Sequence, residues 1–462
     1  MSELNLTLAW VARAVHGKRH PGDLDGPVGE VVTDSRTMRR GDLFIALRGP
    51  RFDGHAFVDD VIARGAAAVI VEPGRASGAK LIEVGDTLIA LQTLAHAVRH
   101  DAGTRVIAIT GSAGKTTTKE AIAAMLSTRG RVVKNKGNLN NHIGLPISLM
   151  QLRTRPDVAV MELGMNHAGE ISTLVAIAEP DVRVWTNVGD AHLGFFASPD
   201  AIADAKAEIL ERSTRDTVLV CNADDARVMA RVSRFEGRTV TFGTTDGATV
   251  CADAIEDRGI DGMRARVRTP AGDGVIETPL LGRGNLSNVL AATAVALDAG
   301  VPLDEIVSVA ATLRPADRRG AVKRLRQDIT LIDDSYNSSP SALQRALDVV
   351  AKESRATRKA AVLGEMLELG DHSRALHETC GRAAARAGVS LLVAIGGEPA
   401  RALAESAVAA GVPRSAVQYF EKSDDAAPAV VQAMRPGDLV LVKGSRGTRT
   451  DVVADRIALE FA

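Results

Sequence analysis

Residues 106–118 read Val-Ile-Ala-Ile-Thr-Gly-Ser-Ala-Gly-Lys-Thr-Thr-Thr, a β-branched strand followed by a glycine-rich turn and the start of a helix. Gly111 and Gly114 let backbone N–H groups approach phosphate oxygens, and the positive end of the helix dipole lies at the same place. Lys115 is then placed to bind the terminal phosphates, and the Thr116 hydroxyl to bind Mg²⁺. This stretch predicts a nucleotide-binding domain of the α/β class.

The turn is shorter than the common phosphate-binding pattern. The first glycine of that pattern would fall on position 109, where Ile109 stands, so that Gly-x-x-Gly-Lys-Thr remains. The alternative interpretation is a Gly/Ser turn that only connects a buried strand to a helix. The strand–turn–helix context favours the phosphate loop, a name used here for residues 110–117.

Length and composition limit the functional class. At 462 residues the chain is long enough for about three domains of ~150 residues. Lys and Arg number 56 and Asp and Glu 57, so the basic excess typical of nucleic-acid binders is missing and we expect small-molecule substrates. We find no signal-peptide pattern and no apolar run near the ~20 residues of a membrane span, which predicts a cytoplasmic protein.

Three blocks of the chain differ in their pattern. Residues 1–101 combine short strands with helices, and residues 101–104 form a candidate linker. Residues 102–315 alternate strands with helical stretches, which is typical of a parallel sheet covered on both faces, and we expect an appended β segment over residues 238–279. Residues 316–462 repeat this alternation in a second, smaller α/β domain.

Three titratable residues of the middle block are candidates for chemistry. Glu162 ends the strand that follows the phosphate loop, where a carboxylate can hold Mg²⁺, although a strand-end Glu is more often a surface or capping residue. His192 follows the next strand, and a hydrogen-bonded structural histidine is the default interpretation. Lys206 lies on a helix of Ala and Ile and by itself indicates only a solvated face.

Three polar loops follow predicted strands or interrupt helices. Residues 135–144 contain many amides around glycines, which fits either a turn or a loop that faces a neutral polar substrate. Residues 333–340 and 442–447 each follow an apolar strand. Such strand-end loops are where functional residues lie in α/β folds.

In chain order, these motifs resemble the signature of the Mur ligases, the ATP-dependent amino-acid and peptide ligases of peptidoglycan synthesis. The matching residues are the phosphate loop, Glu162, His192, the segment 205–209, Asn285, Asn288 and Asp334. The resemblance covers essentially the whole chain. It implies an α/β fold of three domains: an N-terminal UDP-binding domain, a central parallel-sheet P-loop ATPase domain and a C-terminal Rossmann-like domain.

Further segments are similar to one branch of the family. Residues 137–146, 162–171, 333–337 and 363–370 resemble the member that acts on UDP-N-acetylmuramoyl-tripeptide and D-alanyl-D-alanine, and residues 33–57 resemble the shared uridine-nucleotide domain. The resemblance implies amide-bond formation through an acyl phosphate, with ATP and Mg²⁺. We expect a monomer, although the sequence does not determine the oligomeric state, and the charge balance leads us to expect no nucleic-acid partner. The resemblance leaves open whether the third residue of the stem peptide is diaminopimelate or lysine.

The resemblance also implies roles for individual residues. The catalytic residues are Lys115, His192 and Lys206. One Mg²⁺ is assigned to Thr116 and Glu162, and a second to His192 and Lys206, which matches the carbamylated lysine of the family. The nucleotide contacts are Gly111, Ser112, Ala113, Gly114, Lys115, Thr116, Thr117, Asn285, Asn288, Arg319, Asp334, Tyr336 and Asn337. The substrate contacts are Ser35, Arg36, Asp53 and His55 for the uridine diphosphate, Asn138, Asn140 and Asn141 for the peptide, and Lys443, Gly444, Ser445 and Arg446 for the dipeptide.

The sequence departs from the family pattern at three places. Gly284 stands where many relatives have histidine, beside the expected adenine contacts. Arg318 and Arg319 replace a Gly-Arg pair, and the spacing favours Arg319 as the nucleotide contact, with Arg318 in the place of the glycine. Ser338 and Ser339 replace Ala-Asn, a change we expect to be tolerated.

Three other functions compete with this interpretation. The ligase that adds the third stem-peptide residue carries an Asp-Asn-Pro-Arg motif that this chain lacks. A folylpolyglutamate-type ligase shares the ATP core, but residues 33–57 argue against it. A P-loop NTPase that acts as a switch or motor would turn over ATP without forming an amide bond.

Overall fold

The structure, a computed structural model, describes residues 3–19, 25–190 and 193–462. Three α/β sheets follow one another along the chain, and each lies inside one of the three predicted ranges. The exact domain boundaries stay predictions. No helix of the described residues is long and apolar enough to cross a membrane.

The first sheet is built mainly of short parallel strands. Its region contains the strands β1 (Lys18–Arg19), β2 (Val31–Val32), β3 (Leu43–Ile45), β4 (Arg48–Gly49), β5 (Phe52–Asp53), β6 (Ala68–Val71) and β7 (Leu81–Glu83). Its helices are α1 (Leu8–Ala14), α2 (Val58–Ala63) and α3 (Thr87–Ala102). The sheet order is β1-β7-β6-β3-β2 with β1 antiparallel, and β4 and β5 form a separate hairpin.

Helix α3 differs from the predicted linker at residues 101–104. The helix continues through Ala102 and ends at Gly103, whose φ of +67° is left-handed and favours glycine. Its buried side chains, including Leu94 and Val98, share one hydrophobic cluster with Leu174 of the next domain. The predicted linker is thus the end of a packed helix, because residues on both sides of the predicted domain boundary cover the apolar face of α3.

The second sheet is the largest. Its strands are β8 (Arg105–Thr110), β9 (Val132–Lys134), β10 (Val158–Glu162), β11 (Val182–Trp185), β12 (Val218–Asn222), β13 (Arg238–Gly243), β14 (Val250–Asp257), β15 (Met263–Thr269) and β16 (Gly272–Thr278). Its helices are α4 (Lys115–Leu126), α5 (Gly144–Leu149), α6 (Glu170–Ala178), α7 (Pro199–Ala207), α8 (Ala226–Met229), α9 (Gly282–Asp298) and α10 (Leu303–Ala310). The order of this nine-stranded sheet is β16-β15-β14-β13-β12-β11-β8-β10-β9.

Strand β8 lies at the centre of the parallel part of this sheet. Val106 and Ala108 face one hydrophobic cluster, whereas Ile107 and Ile109 face another, so both faces are covered. The chain leaves β8 toward β9 and β10 on one side and returns to β11 and β12 on the other. Ligands of open α/β sheets bind at such a switch point, outside the carboxyl ends of the strands. The phosphate loop begins there.

The predicted appended β segment is part of the main sheet. Strand β13 continues the parallel order beside β12, and β15 and β16 add an antiparallel edge. Met263, Ala265 and Val267 are buried in the cluster that also contains α9, whereas Arg266 faces solvent and pairs with Asp253 at 2.6 Å. The alternating pattern correctly predicts half-buried strands in this segment. The strands extend the main sheet and do not form a separate appendage, because α9 covers their apolar face.

The third sheet is again mostly parallel. Its strands are β17 (Ala321–Arg324), β18 (Thr330–Asp334), β19 (Arg358–Gly364), β20 (Leu391–Ile395), β21 (Val417–Phe420) and β22 (Asp438–Lys443). Its helices are α11 (Pro340–Lys352), α12 (Ser373–Arg386), α13 (Glu398–Ala409), α14 (Ser423–Ala433) and α15 (Asp451–Glu460). The order is β17-β18-β22-β19-β20-β21, with only β17 antiparallel, so the polar loops after β18 and β22 are neighbours.

Candidate active site

The phosphate loop needs glycine at two positions because other elements pack closely on it. Gly111 has φ +152°, and a Cβ there would lie 1.9 Å from Thr186 Oγ1. Gly114 has φ +83°, and its Cβ would lie 2.1 Å from Asn288 Oδ1. Side chains at either position would displace the loop from β11 or from α9.

A segment that the sequence analysis missed holds this loop in shape. Asn187 Oδ1 accepts from the Ala113 N–H at 2.9 Å, and Asn187 Nδ2 donates to the Ala113 carbonyl at 3.0 Å. The Gly189 N–H donates to Ser112 Oγ at 2.8 Å. The residues directly after β11 therefore fix the backbone that would cradle phosphate. The sequence signal for this role is the polar pair Thr186-Asn187, which directly follows strand β11.

A buried carboxylate faces the start of helix α4. Thr116 Oγ1 donates to Glu162 Oε2 at 2.7 Å, and Lys115 Nζ donates to the Gly111 carbonyl at 2.8 Å. Burial opposes the charge of Glu162, but Lys115 and the Thr116 hydroxyl together hold the pKa of this carboxyl below its ordinary value. Glu162 is therefore an ionised carboxylate beside the phosphate loop.

The loop over residues 135–144, called here the amide loop, holds this carboxylate in place. Asn140 Nδ2 donates to Glu162 Oε1 at 2.8 Å. Asn135 Oδ1 accepts from the Glu162 N–H at 3.0 Å, and Asn135 Nδ2 donates to the carbonyls of Leu139 and Glu162. The buried Lys119 donates to the Asn135 carbonyl at 2.8 Å. Asn135 and Lys119 were not singled out from the sequence, because their role depends on the β9–β10 pairing.

Lys206 is buried rather than solvated. Its side chain is 1% exposed, and it has no carboxylate partner among the residues that the structure describes. Burial, with the nearby charge of Lys115, lowers the pKa of Lys206 well below its ordinary value. A lowered pKa favours the uncharged form of the amine, which is the nucleophilic form. His192, its predicted companion, lies outside the described residues.

The C-terminal domain adds a cation to this site. The Arg319 guanidinium lies over the Tyr336 ring, 4.0 Å from its centroid, and its charge contributes to lowering the pKa of Lys115 and of Glu162. Arg318 turns the other way and donates to Asp455 at 2.9 Å. Arg319 therefore stacks on a predicted nucleotide contact whereas Arg318 is paired with α15, and the nucleotide role of Arg319 stays a prediction.

Comparison with known proteins identifies the fold around this site. Models of the Mur ligase family match three stretches of the chain: the family catalytic domain at residues 27–125, the middle domain at 109–296 and the glutamate ligase domain at 318–446. A UDP-N-acetylmuramoyl-tripeptide–D-alanyl-D-alanine ligase of Synechocystis sp. is 34% identical over 439 residues, which are 94% of this chain and 92% of the relative. The chain belongs to the Mur ligase family.

Solved structures confirm the three-domain Mur ligase fold. MurF from Acinetobacter baumannii superposes with a TM-score of 0.89 and 32% identity, covering 99% of this Mur ligase and 100% of that chain. MurF from Thermotoga maritima, solved in complex with ADP, superposes with a TM-score of 0.83 and 28% identity, covering 93% and 97%. The predicted α/β architecture and the assignment to an ATP-dependent ligase family are confirmed.

The predicted adenine contacts lie at the start of α9 in this Mur ligase. Asn288 Nδ2 donates to Asn285 Oδ1 at 3.0 Å, and Asn285 Nδ2 donates to the Leu281 carbonyl at 3.0 Å. At Gly284 a Cβ would lie 2.9 Å from Arg345 Cδ of α11. The arginine thus occupies the space beside the position where many relatives have histidine.

Most of the residues predicted to hold the dipeptide are engaged within the C-terminal domain. Lys443 is buried, and its Nζ donates to Asp334 Oδ2 at 2.6 Å and to the Asn337 carbonyl at 2.9 Å. Ser445 is also buried, and its Oγ accepts from the Leu367 N–H at 2.9 Å. Gly444 is buried between them, and Arg446 alone of the four has an exposed side chain. Lys443 therefore positions Asp334 and the Asn337 loop.

The predicted uridine-diphosphate residues lie together at one end of the first sheet and its hairpin. His55 is buried; its Nδ1 lies 2.7 Å from Asp53 Oδ1, and its Nε2 accepts from the Glu72 N–H at 3.0 Å. Arg36 is exposed and paired with Asp34, and Ser35 is half-buried beside it. Both ring nitrogens of His55 have partners, so this histidine supports Asp53.

The three asparagines predicted to face the peptide are in different environments. Asn140 contacts Glu162, whereas Asn141 Oδ1 accepts from the Ile143 and Gly144 N–H groups at the start of α5. Asn138 is exposed. Within this loop, Asn140 is therefore tied to the Glu162 carboxylate, and Asn138 remains the exposed candidate for peptide contact.

Replacing Asn140 by alanine is expected to raise the Mg²⁺ concentration needed for half-maximal activity by roughly 10–100-fold, because groups that orient a metal-binding carboxylate have effects of this size. The measurement is the rate of ADP release in a Mg²⁺ titration. Asn138→Ala, in the same loop but without a bond to Glu162, serves as the matched control and should leave the Mg²⁺ requirement unchanged. An unaltered titration for Asn140→Ala would contradict this role.

Proposed function

We propose that this Mur ligase joins D-alanyl-D-alanine to UDP-N-acetylmuramoyl-tripeptide at the expense of ATP, forming UDP-N-acetylmuramoyl-pentapeptide. The observation that carries the proposal is the similarity over nearly the whole chain to relatives that bear this activity in their names, such as the Synechocystis protein at 94% coverage. The site supports it, because Lys115, the ionised Glu162 and Arg319 surround a phosphate loop at the centre of the molecule.

The residues at this loop fit a magnesium ion. The Thr116 hydroxyl and the Glu162 carboxylate are hard oxygen donors held 2.7 Å apart, and Mg²⁺ favours one or two carboxylates together with water and phosphate oxygens. When bound there, the ion would neutralise charge on the nucleotide phosphates. We infer that a second Mg²⁺ is held by His192 and a carbamylated Lys206.

The surroundings of Lys206 support its carbamylation. Only an uncharged amine can attack carbon dioxide, and burial holds the pKa of Lys206 well below its ordinary value. The reaction forms an N–C bond and releases one proton, and it converts the amine into an anionic carbamate with two oxygen donors. A buried lysine that pairs with no carboxylate in the described part of the chain thereby becomes a metal ligand.

The chemistry proceeds in two transfers. A carboxylate oxygen of the tripeptide attacks the γ-phosphorus of ATP, ADP leaves, and an acyl phosphate forms. The amine of D-alanyl-D-alanine then attacks the acyl carbon, and the bond to phosphate breaks as the amide forms. Negative charge develops on phosphoryl oxygens in the first transfer, and the Lys115 and Arg319 cations and the backbone N–H groups of the loop stabilise it. Closure of the cleft keeps water from the acyl phosphate.

One assay tests the proposal. The chain is incubated with ATP, D-alanyl-D-alanine and UDP-N-acetylmuramoyl-tripeptide, prepared with either diaminopimelate or lysine at the third position, and the product mass is measured. We expect pentapeptide and ADP in equal amounts from one of the two tripeptides. ADP without an amide product would instead favour a P-loop NTPase that acts as a switch. A parallel incubation with ATP, a free amino acid and UDP-N-acetylmuramoyl-dipeptide tests the ligase of the preceding step, which alone would form a product there.

We expect the dipeptide site to form only when the central and C-terminal domains close. The amide loop belongs to the central domain and residues 443–446 to the C-terminal domain, and both flank strand ends. Calorimetry should show weak binding of D-alanyl-D-alanine to the free chain and tighter binding with ATP and tripeptide, or a phosphinate mimic, present. By linkage the dipeptide must tighten tripeptide binding by the same factor. Equal dipeptide affinities with and without the other two substrates would contradict domain closure but would leave the proposed ligase activity intact.

We also propose that the enzyme acts as a monomer in the cytoplasm on these small molecules alone. The near balance of 56 basic and 57 acidic residues is consistent with partners other than nucleic acid. Light scattering on the purified chain and fractionation of the cells that produce it test the two statements separately.

A further inference from the structure

The connection between the second and third sheets contains a residue in an unfavourable backbone conformation. Arg318 has φ +56°, in the left-handed region of backbone conformation that residues other than glycine seldom adopt. The adjoining backbone is tied to the third sheet, because the Tyr336 N–H donates to the Arg318 carbonyl at 3.0 Å and the Gly320 N–H to the Asp333 carbonyl at 2.9 Å. The strained residue thus lies where the connection meets the C-terminal domain.

The Arg318 side chain adds a second attachment to the same domain. Its Nη2 donates to Asp455 Oδ2 at 2.9 Å, and its Nη1 lies 3.8 Å from Asp451 Oδ2. Both carboxylates belong to α15. The Arg318 side chain is 25% exposed, whereas those of Asp455 and Asp451 are 57% and 38% exposed, so solvent screens these ion pairs from the carboxylate side. A glycine would adopt the same backbone conformation more readily, but it could not make these contacts.

The next residue contacts the predicted nucleotide surface. The Arg319 guanidinium lies over the Tyr336 ring, 4.0 Å from its centroid, and Tyr336 is one of the predicted nucleotide contacts. The orientation of Arg319 depends on the backbone of Arg318, because the two residues are adjacent and the φ and ψ angles of Arg318 set the direction in which the chain continues.

We propose that Arg318 is a positioning residue for the ATP site: its ion pairs with α15 hold the connection in the conformation that presents Arg319 to the phosphate loop. Arg319 then moves with the C-terminal domain, and the set of cations around the phosphates is complete only when that domain is docked. This inference rests on the proposed function in one respect, namely that Arg319 acts on the phosphates of ATP.

The test uses variants of the full chain in the ligation assay. Arg318→Gly allows the left-handed conformation, relieves its strain and removes the ion pairs with α15, and we expect it to raise the KM for ATP by roughly three- to tenfold with a smaller change in kcat. Asp455→Asn should act in the same direction. Arg456→Ala, which removes another ion pair of α15 (to Glu460), is the matched control and should leave the KM for ATP unchanged.

The decisive measurement is the same substitution in an Arg319→Gln background. Because Arg318 acts through Arg319, Arg318→Gly should then have no further effect on the KM for ATP. A KM that is unchanged by Arg318→Gly, or an effect of equal size in both backgrounds, would overturn the inference, even if the melting temperature falls. These outcomes leave amide formation by the unaltered chain intact, whereas failure of that chain to form the amide would overturn the proposed function.

Discussion

Lys115→Ala is expected to reduce the rate of ligation by about 10²–10³-fold, because removing one preorganised charge from a developing oxyanion costs on the order of that factor. Lys115 is placed for this role at the start of α4, with its Nζ 2.8 Å from the Gly111 carbonyl, inside the loop that would surround the phosphates. The measurement is kcat for ADP and amide formation at saturating substrates.

The controls for this variant separate catalysis from folding. Among the residues that the structure describes, Lys115 Nζ donates one hydrogen bond, to its own loop, so the melting temperature should change little. Lys18→Ala, which removes an exposed lysine of the first sheet, should retain full activity. A Lys115→Ala enzyme close to the unaltered one in kcat would remove the assignment of residues 110–117 to ATP.

Lys206→Ala is expected to lose activity by about 10²-fold or more, and added acetate or formate should restore part of it. The reason is that the proposed carbamate supplies carboxylate-like oxygens at the end of a long side chain, and a small carboxylate can occupy the cavity left by alanine. Lys206 is 1% exposed, so the cavity is enclosed and the added anion would be held near the site. The measurement is the ligation rate as a function of acetate concentration.

Lys115→Ala is the matched control for the acetate experiment. Both variants lose a lysine of the same site, but only Lys206→Ala loses the proposed carbamate anion. Acetate should therefore leave Lys115→Ala inactive. If acetate and formate restore neither variant while Lys206→Ala remains folded, Lys206 acts as an ordinary buried amine and the carbamate is ruled out.

Local pattern was sufficient for much of the fold. Strands such as β8 and β10 were predicted within about a residue of their observed ends, because a short β-branched run between turn residues has few alternatives. The extent of α3 and the placement of residues 238–279 could not be predicted from local pattern, since both depend on which distant surfaces cover an apolar face. Helix length and sheet membership are decided by packing partners that periodicity does not identify.

The residues of the candidate site differ in the same way, because some can be predicted from local sequence and others depend on long-range packing. The phosphate loop and Glu162 could be predicted from sequence alone, because glycines, lysine and a strand-end carboxylate carry their chemistry within a few residues of chain. The contacts of Asn135 and Asn140 with Glu162, the pairing of Lys443 with Asp334, and the opposite partners of Arg319 (Tyr336) and Arg318 (α15) became visible only in the folded chain. Those roles depend on which strands are neighbours and on the backbone conformation between domains, and hydrogen bonds and ion pairs at 2.6–3.0 Å exist only after long-range packing has brought their partners together.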